Sequence, residues 1–216
     1  LVKNGTIFGQ AQENAWRKAW GESVIALDPP EHGPPRALLV KALDRMQVGR
    51  LDREVIRPAC HYMADRIEAA GGGDLVTNYT GLLPLIIICS ILDVDASDAR
   101  WLIDNINKVM DLSNDFEPGM AAAEEIRDYF RAIYSERVAN PGKDLISDLI
   151  RAEIDGQRLS EAQVLAFCSI LLPAGVETTA KQFGHLMTAL LRDPEQMALV
   201  REDRSLIPAA VDETTR

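Results

Sequence analysis

Apolar and polar positions repeat with helical spacing along most of this chain, and the longest such stretch runs from about residue 160 to residue 192. Val164, Leu165, Phe167, Cys168, Leu171 and Leu172 lead into a polar cluster, and Phe183, Leu186, Met187, Leu190 and Leu191 follow it, in steps of three and four. Ser160 and Glu161 mark a helix start and Asp193-Pro194 a stop. A helix this apolar is buried along most of its length, so the segment LLPAGVETT at 171–179 is costly in its middle unless it is used. Pro173 removes a backbone donor and clashes with the carbonyl four residues back, while Gly175 lets another group approach the backbone. These residues predict a helix that is kinked or opened at that point.

Similar patterning predicts helices over 53–70, 97–112, 120–138 and 144–154, and a buried helix over 82–92 with Pro84 in its first turns. Asp74-Leu75-Val76 reads as a short strand after the stop at Gly71-Gly72-Gly73. Asn140-Pro141-Gly142-Lys143 is a break and Asp155-Gly156 a turn. A short helix follows Asp193-Pro194-Glu195, and a further segment begins at Ser205. Strands do not alternate with helices, and there are no internal repeats, low-complexity tracts or Gly-rich phosphate loops. The expected class is therefore mainly α, a single domain over 1–216, and an α/β nucleotide-binding fold is excluded.

Composition adds little beyond a soluble globular character, with 47% apolar and 26% charged residues. The net charge of −10 argues against a nucleic-acid partner. Cys60, Cys89 and Cys168 lack metal-ligand spacing and read as reduced core residues, which points to a cytoplasmic protein. The run from Leu82 to Leu92 falls short of the roughly 20 residues of a spanning helix, and no signal peptide is visible, so no membrane association is expected. The first residue, Leu1, and the abrupt end at Arg216 suggest a fragment.

Candidate chemistry concentrates at two places. At the first, Glu177 and Thr178 sit at the predicted helix deformation, where freed carbonyls can hold water, and a carboxylate beside a hydroxyl is the raw material of a proton relay. The other reading is that the threonines bond back to their own helix and the acid pairs with a nearby base. At the second, DPPEHGPPR, His32 and Arg36 stand four apart. Pro34 and Pro35 place the helix start near Pro34 and His32 just outside it, and the alternative there is a helix cap followed by a solvated arginine.

Three segments then fall in a familiar order. LLPAGVETT resembles the Ala/Gly-Gly-x-Asp/Glu-Thr-Thr signature of the long central helix in haem-thiolate monooxygenases, the cytochrome P450 superfamily. DPPEHGPPR resembles the bacterial segment that precedes it, and Glu213-Thr214-Thr215-Arg216 is similar to the family's Glu-x-x-Arg. The resemblance implies a mainly helical fold and a b-type haem ligated by a cysteine thiolate. It implies insertion of one O2-derived oxygen atom into a small apolar organic substrate, with electrons from NAD(P)H through a ferredoxin reductase and a ferredoxin.

By the same resemblance, Glu177 and Thr178 are catalytic as a proton relay to bound oxygen, and Ala174 and Gly175 line the oxygen groove over the haem. His32 and Arg36 hold a haem propionate, and Glu213 and Arg216 form a structural pair. Phe8, Trp16, Met110, Phe116 and Met120 become candidate substrate contacts. Six basic residues against three acids between Arg36 and Arg57 suggest part of a face for an acidic ferredoxin, or an ordinary solvated helix face. None of the three cysteines has the Phe-x-x-Gly-rich context of the axial ligand, so that cysteine is expected outside this chain and no metal ligand within it. Two other functions remain open: a peroxide-using haem enzyme, and a haem-free helical binding or regulatory module.

Overall fold

The computed structural model of the chain describes residues 15–43, 45–112 and 114–215. Phe8 and Arg216 lie outside the described residues, and so does the side chain of Trp16. The described chain is helical apart from loops and one two-stranded ribbon, and it forms two compact units. The first draws on Leu1–Asp52 and Cys89–Pro173, the second on Arg53–Ile88 and Ala174–Arg216.

Unit 1 begins with α1 (Ala15–Trp20), then α2 (Gly33–Ala42) and α3 (Arg45–Leu51). It continues with the end of α5 (Leu83–Leu92), then α6 (Ala99–Met110), α7 (Phe116–Ala139) and α8 (Leu145–Arg151). Its core is where their apolar stripes meet: Trp20, Leu92, Leu102, Val109, Ile126, Phe130, Leu149, Val164 and Leu172 are shut off from solvent. α6 lies along α7, and α7 also packs on α1 and α8. Arg127 of α7 closes the end of α1 by donating to the carbonyls of Lys18 and Ala19, at 3.3 and 2.8 Å, where helix carbonyls have no internal partner.

Unit 1 buries a carboxylate, that of Asp144, the N-cap of α8, which accepts from the Ser147 backbone N–H at 2.9 Å. Its other oxygen meets Arg137 Nε at 2.9 Å, and Arg137 also reaches Asp93 and Glu136 at 2.7 and 3.0 Å. Burial opposes the Arg137 charge, but Asp144, Glu136 and Asp93 outweigh it and push its pKa above the ordinary arginine value.

The segment expected as a helix over 144–154 stops at Arg151, and β1 (Glu153–Ile154) pairs antiparallel with β2 (Gln157–Arg158). Asp155 and Gly156 both take positive φ, 52° and 78°, the geometry of a tight Asp-Gly hairpin turn. The ribbon leads into α9 (Glu161–Arg192). Ser160 and Gln163 cap it reciprocally, each side chain accepting from the other's backbone N–H at 3.1 and 2.9 Å.

Unit 2 contains α4 (Arg57–Ala69), a π-turn at Val76–Thr80, the start of α5, the second half of α9, α10 (Pro194–Glu202) and α11 (Ile207–Glu213). The strand expected at Asp74-Leu75-Val76 is not formed. Asp74 instead starts the turn, its carboxylate accepting from Thr77 N–H at 2.9 Å and its carbonyl from the Asn78 side chain at 2.8 Å. Met63, Leu83, Leu85 and Ile88 are buried in this unit. Tyr79 meets the edge of Phe183 at 5.6 Å, and burial together with its bond to Cys60 pushes its phenol up to about 12.

Candidate functional site

The central helix does not open where its sequence predicts. α9 runs unbroken through Pro173, which lies buried inside it. The proline leaves the Ser169 carbonyl, four residues back, without its helical donor; one turn further on, Thr178 Oγ1 donates to the Ala174 carbonyl at 2.5 Å. Glu177 is held by Lys181, one turn on, at 2.5 Å. These contacts are the ones that the back-bonded reading of the pair describes. Lys181 was visible in the sequence through its i, i+4 spacing and is the partner that the motif alone does not name.

Exposure divides α9 sharply. Val164 to Ser169, Leu172 and Pro173 are buried, whereas no residue from 174 to 192 is. Ala174, Thr178, Lys181 and His185 follow one another on an exposed stripe, with Gly175 and Glu177 half-buried beside it. Gly175 has a packing reason: a Cβ there would stand 2.6 Å from Cδ1 of Ile88 in α5. The glycine therefore lets α5 and α9 approach closely, in addition to any role toward a ligand.

His32 lies at the N-cap of α2 and makes no side-chain capping bond, in line with a helix beginning beside Pro34. Its carbonyl accepts from the Arg36 backbone N–H at 3.2 Å, which places the two residues one turn apart. Arg36 is exposed. These two belong to unit 1, and Ala174, Gly175, Glu177 and Thr178 to unit 2.

Glu213 ends α11 and borders a groove of about 430 Å3 formed with α9 and α10, lined by Leu186, Leu190, Leu199 and Leu206. Its expected partner Arg216 lies outside the described residues. Met110 at the end of α6 and Phe116 at the start of α7 are exposed, and Met120, one turn into α7, is half-buried.

The cysteines in the core are poorly suited to bind iron. Burial pushes the Cys89 and Cys168 thiols up, with help from Asp98 and Asp144 respectively, and so disfavours the thiolate that ligation needs. Among the described residues no three His, Cys, Asp or Glu cluster to hold a metal ion. In unit 2 the exposed stripe at Ala174 and Thr178 offers a small-residue face to a flat ligand, and in unit 1 the exposed Arg36 guanidinium offers forked donors to a carboxylate. By length and composition α9 could cross a membrane, which the run at 82–92 could not, but its first half forms the core of unit 1.

Comparison with known proteins places the fold and the family. The Cytochrome P450 family profile matches residues 87–213. The Xylella fastidiosa (strain 9a5c) protein carrying the cytochrome P450 133B2 name is 38% identical over 203 residues, covering 89% of this chain and 50% of that protein. The methyl-branched lipid omega-hydroxylase of Mycobacterium bovis is 34% identical, covering 90% of this chain and 47% of its own length.

Among solved structures, CYP109Q5 from Chondromyces apiculatus superposes with a TM-score of 0.79 at 30% identity, covering 98% of this chain and 53% of that one. CYP109E1 from Bacillus megaterium in complex with testosterone gives 0.80 at 28% identity, with 89% and 53% covered. The chain spans about half the length of the curated relatives it matches. With the helical fold, the acid-alcohol pair on the central helix and the matched profile in agreement, the chain belongs to the cytochrome P450 family.

Proposed function

We propose that this chain is part of a haem-thiolate monooxygenase that inserts one O2-derived oxygen atom into a small apolar organic substrate. Under this reading residues 1–216 form one partial haem-monooxygenase domain, and electrons come from NAD(P)H through a ferredoxin reductase and a ferredoxin. The observation that carries it is the exposed Ala174–Thr178 face in the middle of an otherwise apolar helix. The lipid hydroxylase and the testosterone complex among its relatives support an apolar substrate. The basic excess between Arg36 and Arg57 supports an acidic electron donor.

Haem, held by a cysteine thiolate outside this chain, supplies the oxygen activation. Arg36 and His32 would hold a propionate, the guanidinium by its forked N–H donors and the imidazole by a ring N–H. Ala174 keeps the face flat, because a methyl is the smallest side chain after glycine. Thr178 donates to Ala174, so the lone pairs of its oxygen remain available to accept a hydrogen bond from a group above the helix. Glu177, with its side chain 44% exposed, exchanges protons with solvent and passes them along the helix surface toward Thr178, while Lys181 fixes the direction of the carboxylate.

The test uses the reading frame extended beyond Arg216 and expressed with a haem supply. The reduced protein with carbon monoxide is expected to show the red-shifted Soret band of thiolate-ligated haem. In that protein Thr178→Ala is expected to lower product formed per NAD(P)H by about tenfold or more while reductant is still consumed. Haem-free folded protein would favour a binding module, and unchanged coupling in Thr178→Ala would remove Thr178 from the relay.

A further inference from the structure

Unit 2 contains a second cavity, of about 270 Å3, that no residue of α9 lines. Its floor is apolar: Met63 and Ile67 of α4 face Leu82 and Ile86 across it. At the mouth stands a positive charge. Arg66 Nη1 donates to the Tyr62 hydroxyl at 3.0 Å, and the guanidinium lies 5.6 Å from the centre of the Tyr62 ring. These contacts orient the cation but use one of its five N–H donors. No carboxylate pairs with Arg66 among the described residues. Gly72 also lines the cavity at φ +124°, a backbone conformation that a larger residue would adopt only under strain.

An oriented guanidinium over an apolar floor complements a molecule with one planar anionic end and one hydrocarbon end. The geometry points to a binding site for a small free carboxylate with an alkyl tail of about eight carbons, a size suited to a cavity just below the usual range for ligand pockets. The carboxylate takes the free edge of the Arg66 fork. The tail lies over Met63 and Ile86 and displaces water from them. This site does not depend on the haem reading of α9.

The test labels methionine methyl groups of the full chain with 13C, assigns Met63 through Met63→Leu, and titrates in sodium octanoate. A saturable shift of the Met63 methyl is expected, with Kd on the order of 1 mM or below. Octan-1-ol should bind more weakly. Arg66→Gln, at an exposed position, should weaken octanoate about tenfold and leave octan-1-ol unchanged. Leu82→Trp, which fills the cavity, should abolish the shift while circular dichroism shows the fold retained. No saturable shift, equal binding of acid and alcohol, or octanoate binding untouched by Arg66→Gln would each overturn the site.

Discussion

Asp144 illustrates how much one side chain carries in this protein. It caps α8, ties that cap to Arg137, and accepts a second bond from the Ser147 hydroxyl at 2.9 Å, all in a site closed to water. Removing one partner of a buried ion pair leaves the other charge without compensation, so Asp144→Ala is expected to destabilise by about 3–5 kcal/mol. Urea denaturation of Asp144→Ala, Arg137→Met and the double variant measures this. The double variant should cost clearly less than the sum of the singles, and strict additivity would show that the pair is not coupled. The helix start at Asp144 was legible in the sequence, but its ion pair with Arg137, and Arg137's second pair with Asp93, come together only through tertiary packing. Glu177 and Lys181 are the opposite case. Their contact follows from helical spacing alone and was legible once the helix was known, whereas the family signature stops at Thr179.

At the scale of the element, α9 shows where sequence rules hold and where they fail. Its ends were legible, since Ser160 and Asp193-Pro194 bound Glu161–Arg192 as capping chemistry requires. Its interior was not. Pro173 predicts an opening, but the helix runs through it, with Val164 to Ser169 and Pro173 itself buried in unit 1. At 74–76 a local bond decides instead, where the Asp74 carboxylate accepts from the Thr77 N–H and a π-turn forms in place of the predicted strand. Gly175 makes the packing argument testable. Gly175→Ala pushes a methyl into Ile88 and is expected to cost about 1–3 kcal/mol. Ile88→Val removes the atom that the new methyl meets and should recover part of that loss, seen as a smaller drop in Tm for the double variant than the single costs predict. If Gly175→Ala is as stable as the parent protein, close approach of α5 does not explain the glycine.

Across the whole molecule the uneven burial of α9 becomes a statement about dynamics. Stability in a folded protein is local, and segments with few buried apolar contacts open at lower free energy than the core. The residues of α9 before position 174 are packed inside unit 1, whereas those after it include Leu191, 60% exposed, and none that is buried. Backbone amides at 164–172 are therefore expected to exchange with deuterium at least about tenfold more slowly than those at 178–190, a difference of roughly 1.4 kcal/mol in opening free energy. Pro173 has no amide and divides the two groups. A ligand that binds only the folded form raises protection where it binds, so in the haem-loaded protein from the extended reading frame the slow region should advance past Thr178. Uniform protection along α9 before haem is added would show that its second half is stable in its own right, and the exposed stripe would then be an ordinary solvated helix face. Slow exchange that appears only with haem would place the cofactor against Ala174 and Thr178 without reference to turnover.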